Sequence, residues 1–123
     1  MNSIEPTTIG LSLDAHAKLT VLKDDGLFPN MLDAYKLAIA LALASDIQPK
    51  TITGERTTMF NIGSLDPEKT LYNALRSLLG EVDGSVYKIA EQLAEWGINE
   101  IHSRHENGDF SWETLLADNL SNK

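Results

Sequence analysis

Residues 30–45 read Asn-Met-Leu-Asp-Ala-Tyr-Lys-Leu-Ala-Ile-Ala-Leu-Ala-Leu-Ala-Ser, and the fold turns on whether this run is a helix or a strand. Asn30 follows Pro29 and is suited to cap a helix through its side-chain oxygen. Asp33, three residues on, puts a carboxylate at the positive helix end. Residues 37–44 contain no polar side chain. In a helix of ~100° per residue, Leu37 and Leu41 point one way while Ile39 and Leu43 point nearly opposite, so both faces need cover. The alternation of large residues with Ala is also the period of a strand. Alanine decides for the helix, because it is the best helix former and is depleted in strands. An apolar run this short falls well below the roughly 20 residues that span a bilayer, which places the helix at the centre of a globule. Burying its four large side chains contributes about 6–12 kcal/mol before entropy is subtracted.

The chain has 123 residues, enough for one domain with a real core, and no Cys. Disulfides, thiolate zinc sites and Cys nucleophiles are thereby excluded, and a reducing, cytoplasmic setting is the default. The first residues lack the charged start and apolar core of a signal peptide, and no later run is long enough to cross a membrane. The formal charge is −8 and is uneven. Residues 1–45 hold three Lys against five Asp or Glu, whereas residues 64–123 hold five basic against eleven acidic side chains. That balance repels phosphate and membrane surfaces at long range and keeps a small protein soluble.

Taken in order, residues 1–8 are polar and read as a mobile end. Ile9, Leu11 and Leu13 alternate with Gly10, Ser12 and Asp14 as in a short half-buried strand. Asp14 is placed to cap a first helix bearing Ala15, Ala17, Leu19, Val21 and Leu22, with Gly26 as its stop. The central helix, 30–45, follows. Residues 46–63 read as a loop with a short strand or hairpin near 57–62. Asp66-Pro67-Glu68 opens a third helix with apolar positions Leu71, Tyr72, Leu75, Leu78 and Leu79 and a stop at Gly80. A fourth begins after Ser85, runs through Val86, Ile89, Leu93 and Trp96 to about His105, and meets a bend or an end at Gly97. Ser111 is suited to cap a last short helix with Trp112, Leu115 and Leu116. The expected architecture is mainly α. About five helices surround the central one in a single domain over 9–118, with a short N-terminal strand and a frayed tail at 119–123.

Strand, helix, Gly turn and second capped helix over residues 8–44 resemble the layout of ribbon-helix-helix proteins. In that family the strand pairs with its copy in a second subunit, and its outward residues enter the major groove. The resemblance therefore implies a dimer through the N-terminal strand and a DNA-binding regulator, with Thr8, Gly10 and Ser12 facing the bases. None of the three is Arg, Lys, Asn or Gln, the residues that make bidentate base contacts, so nucleic acid binding is left open.

Chemical motifs are sparse. His102, His105 and Glu106 lie at helical spacing and would share a face suited to a metal ion, but His and Arg in a last helical turn more often serve the exposed carbonyls. Asp24-Asp25-Gly26 and Glu81-Val82-Asp83-Gly84 put carboxylates into turns without the ligand spacing of a calcium loop. No phosphate-binding glycine loop, dinucleotide fingerprint or nucleophile elbow occurs. The expectation is no catalytic, cofactor-binding or metal residue, no bound cofactor and no enzyme. Trp96, Trp112, Tyr72, Tyr87 and Phe110 are read as core filling, with a partner-binding patch as the alternative.

Asp33-Ala34-Tyr35-Lys36-Leu37-Ala38-Ile39-Ala40-Leu41-Ala42-Leu43, then Gly54-Glu55-Arg56, Met59-Phe60 and Ala94-Glu95-Trp96-Gly97-Ile98, resemble small bacterial proteins associated with DNA phosphorothioation (Dnd) systems. What this resemblance implies is a non-enzymatic accessory or adaptor protein acting through protein contacts in a DNA-modification or defence setting. The ribbon-helix-helix regulator is the alternative.

Overall fold

A computed structural model describes residues 6–80 and 85–108. It is mainly α, with a two-stranded antiparallel sheet: β1 (Thr8–Ser12), α1 (Leu13–Asp24), α2 (Met31–Ala44), β2 (Arg56–Asn61), α3 (Ile62–Leu65), α4 (Thr70–Leu79) and α5 (Val86–Glu106). The helix expected after Ser111 lies outside the described residues. Among the described residues no helix is long and apolar enough to cross a membrane.

Local chemistry starts and stops each helix. Ser12, not Asp14, caps α1: its backbone is extended at the end of β1, which lets Oγ turn back to accept from the Ala15 N–H at 3.1 Å. Asp14 falls in the first turn and pairs with Lys18 at 2.9 Å. After α1, Gly26 takes φ 84°, and Leu27 N–H reaches back to the Leu22 carbonyl at 3.1 Å. Asn30 caps α2 as its sequence position suggests, Oδ1 accepting from the Asp33 N–H at 2.8 Å.

The α4 start differs from expectation. Lys69 adopts the left-handed conformation (φ 58°), which breaks the run, so the helix begins at Thr70 after a single-turn α3. Asp66 still serves it from a distance. Its buried carboxylate accepts from the N–H groups of Leu71 (2.9 Å) and Tyr72 (2.8 Å) and from the Tyr87 hydroxyl (2.8 Å).

Helix α2 packs against α5, and the two supply most of the core, including Ala34, Tyr35, Ala38, Ile39, Leu41, Leu93, Ala94, Ile98 and Ile101. Gly97 does not end α5, which runs on to Glu106. It lies where the two helices cross, and its missing Cβ lets the Ala38 backbone come close. The enclosure of α2 is not complete. Asp33, Lys36, Ala40 and Ala44 form one exposed line, while Leu37 and Leu43 are half-buried. Because the exposed line is Asp, Lys and Ala, little apolar surface is left uncovered.

In the sheet, Thr8 stands opposite Asn61, Ile9 opposite Phe60, Gly10 opposite Thr58 and Ser12 opposite Arg56, with a bulge between Ile9 and Gly10. The flanking bonds Leu13 N–H to Glu55 O and Ile62 N–H to Thr7 O set the phase of the ladder. Thr8, Gly10 and Ser12 therefore point their main-chain groups away from β2. The sequence layout placed these three on an outward face. Gly10 and Ser12 are instead buried and Thr8 is half-buried, because α5 lies along that edge of β1.

Candidate binding cleft beside the long helix

Helix α5 runs beside β1 as a third strand would, and two carboxylates supply the missing acceptors. Glu91 accepts from the Gly10 N–H at 2.8 Å, and Glu95 accepts from the Ser12 N–H at 3.0 Å and from its hydroxyl at 2.6 Å. The spacing matches: four helical residues rise about 6 Å and two strand residues about 6.7 Å. From α2, the Tyr35 hydroxyl donates to the Gly10 carbonyl at 2.8 Å. Burial first, and then the nearby Glu91 carboxylate, pushes the Tyr35 phenol well above its ordinary range, so it stays a protonated donor. Arg56, reaching from β2, forms an ion pair with the buried Glu91. The main-chain groups of Gly10 and the Ser12 N–H at this edge are thus satisfied within the chain.

On the solvent side of this seam an open cleft of about 640 Å³ lies between three walls. Ser12, Leu13 and Asp14 form the first, where β1 passes into α1. Gln92, Glu95, Trp96 and Asn99 form the floor, at spacings of three and four that keep them on one face of α5. The loop carrying Gln48, Lys50, Ile52 and Glu55 forms the third. Leu13 is 48 % exposed, an unusual position for a large apolar side chain, and stands in the cleft with Ile52 and the half-buried Trp96. The polar lining is organised: Asn99 accepts from Lys18 Nζ at 2.7 Å and donates to the Glu95 carbonyl at 2.9 Å. Three lining carboxylates, Asp14, Glu55 and Glu95, face one lining cation, Lys50.

The Ser12 hydroxyl is held between the Ala15 N–H and Glu95, so its lone pair and its proton are both engaged in capping and edge closure. An apolar patch within hydrogen-bonding walls suits recognition of a side chain or extended segment.

The other sequence candidates lie elsewhere. His102 Nε2 is 3.2 Å from Glu106, whereas His105 Nε2 turns to Asp25, 2.8 Å away at the end of α1. His105 ties the end of α5 to that of α1, whereas His102 pairs within α5, and among the described residues no group of three His, Asp or Glu could hold a metal ion. Asp25 of the first acidic turn is the partner of His105, while Glu81 and Asp83 lie outside the described residues. Tyr87 is buried and Tyr72 half-buried, their ring centroids 5.5 Å apart, and Phe110 and Trp112 lie outside the described residues.

Sequence reasoning did not single out Glu91 or Glu95. Glu91 carried a signal, since it falls in the apolar series Tyr87, Glu91, Ala94 and Ile98 at spacings of four, three and four. A carboxylate on a buried stripe needs a partner. The cleft itself joins residues 12–14, 48–55 and 92–99, which only folding brings together. Comparison with family models, with curated proteins and with solved structures finds no match to the chain.

Proposed function

We propose that the protein is a non-enzymatic accessory or adaptor that acts by binding another protein through the cleft beside α5. The observation that carries this reading is the exposed Leu13, set with Ile52 and Trp96 in a cleft whose lining carboxylates outnumber its cations. Its occupant is a segment of the partner that brings one apolar side chain for Leu13 and Trp96 and a basic side chain for Glu55, since Asp14 is paired with Lys18 and Glu95 with Ser12. The formal charge of −8 supports the same choice, because complementary charge speeds encounter and rejects acidic partners. The setting is the bacterial DNA-modification or defence system implied by the resemblance to proteins of Dnd systems. Proteins that handle DNA carry basic surfaces, which suits an acidic accessory chain.

The test is paired affinity capture from the native host with the wild-type chain and with Leu13→Lys, a substitution at an exposed position. A protein recovered with the wild type and lost with Leu13→Lys supports the reading. Recovery of nothing but the chain itself, or of the same proteins with both baits, overturns it.

A further inference from the structure

The two edges of the sheet are treated differently. On β1, Gly10 and Ser12 have their outward N–H groups taken by Glu91 and Glu95, and the Gly10 carbonyl is taken by Tyr35. On β2, the residues opposite them are Arg56, Thr58 and Asn61, all exposed, and their main-chain groups point away from β1. No main-chain or side-chain group among the described residues bonds to that edge.

Exposed edges are usually blunted by a charge, a Pro or a bulge that turns the strand away. The six residues of β2, Arg-Thr-Thr-Met-Phe-Asn, contain neither Pro nor Gly and are rich in strand formers; the bulge falls at Met59, so the open edge is offered on both sides of it, at Arg56 and Thr58 and again at Asn61. Their one charge, Arg56, is drawn back under the sheet by the ion pair with Glu91, so it does not guard the edge. Apolar surface accompanies the open groups: Met59 and Phe60 are half-buried, with the Phe60 ring set edge-on to Tyr35 at 5.3 Å.

We propose that the chain dimerises by antiparallel pairing of β2 with β2 of a second copy, forming a four-stranded sheet in the order β1-β2-β2-β1. A second copy is the occupant for two reasons. Pairing centred on Thr58 sets Arg56 of each copy against Asn61 of the other, the bulge at Met59 taking up the extra residue, so the outward main-chain groups meet and no like charges are opposed. The arrangement also closes: at the outer edges Glu91, Glu95 and Tyr35 occupy β1 at Gly10 and Ser12, which leaves Thr8 alone and no run of open groups on which a further strand could extend the sheet into a filament. The expected ribbon pairing through the N-terminal strand is thereby moved to the other strand of the sheet.

Sedimentation velocity of the full chain at rising concentration tests this. The wild type passes from monomer to dimer by about 1 mM, where even a millimolar Kd populates the dimer. Thr58→Pro removes an outward N–H at a position where an edge strand tolerates Pro, and Thr58→Lys places a charge on the same edge. Each weakens the dimer about ten-fold or more while the circular dichroism of the dilute protein stays that of the wild type. Added salt strengthens the dimer, because two chains of charge −8 repel, whereas binding of a basic segment in the cleft weakens with salt. A wild type that stays monomeric throughout, a dimer unaffected by both substitutions, or one that dissociates on adding salt overturns the proposal.

Discussion

The backbone of Gly97 rests against that of Ala38 so closely that a Cβ added to Gly97 would fall 2.1 Å from the Ala38 carbonyl oxygen. This contact sets the distance between α2 and α5. The obstacle is main chain on a buried helix and has no rotamer with which to move aside. Gly97→Ala therefore destabilises the fold by about 3 kcal/mol, even though Ala is about 1 kcal/mol better than Gly in a helix. Urea unfolding followed by circular dichroism measures this, and a stability equal to or above the wild type would mean that the crossing is looser.

Glu91 holds a buried main-chain donor and the Arg56 guanidinium together. Removing it strands the buried Gly10 N–H and returns the exposed Arg56 guanidinium to water, and Glu91→Ala costs about 2 kcal/mol. Glu91→Gln keeps an acceptor for Gly10 and costs less. Comparing the two by chemical unfolding separates the loss of charge from the loss of the hydrogen bond, and equal effects would contradict this division.

Asp66 serves three donors, two at the start of α4 and one on Tyr87. Asp66→Ala is expected to cost about 2 kcal/mol, from a lost cap and the lost bond to the Tyr87 hydroxyl. Tyr87→Phe and Asp66→Ala are expected to cost less together than the sum of their separate costs, because both remove the same hydrogen bond. A double-mutant cycle measures this, and full additivity would contradict the shared network.

Tyr35 gives the fold an alkaline limit. Its phenol is held above the ordinary value of 10.0, so the unfolded chain releases this proton at lower pH than the native one. Above that value the unfolded state binds fewer protons, and stability falls as pH rises. The contribution is fully present below pH of about 10 and is lost progressively above it. Tyr35→Phe reduces this slope while lowering stability at neutral pH through the stranded Gly10 carbonyl. Unfolding curves between neutral and strongly alkaline pH check both effects.

Much of this architecture was legible from local chemistry. Asn30 with Asp33, the Leu and Ala run behind them, Gly26, Ser85 and Gly80 act within a few residues of their own position, and α2, α5 and the helix ends followed from them. The apolar stripe beyond Gly97 carries the helix on to about His105, but what Gly97 does there, admitting the Ala38 backbone, looks in one dimension the same as a glycine that ends a helix. The α4 start was placed too early because Asp66 is a genuine cap acting across a left-handed Lys69. The seam and the cleft were not legible, since Gly10 to Glu91 and Ser12 to Glu95 join positions about eighty residues apart. On a sequence, Glu91 and Glu95 look like any solvated pair one helical turn apart.

Closure of the β1 edge by α5 decides which surfaces are left for contact, and amide hydrogen exchange reads that closure directly. In dilute protein, the Gly10 and Ser12 amides are predicted to exchange slowly, while those of Thr58 and Asn61 exchange nearly as fast as in an unstructured chain. Gly10 and Ser12 amides exchanging as fast as that of Thr58 would contradict the account.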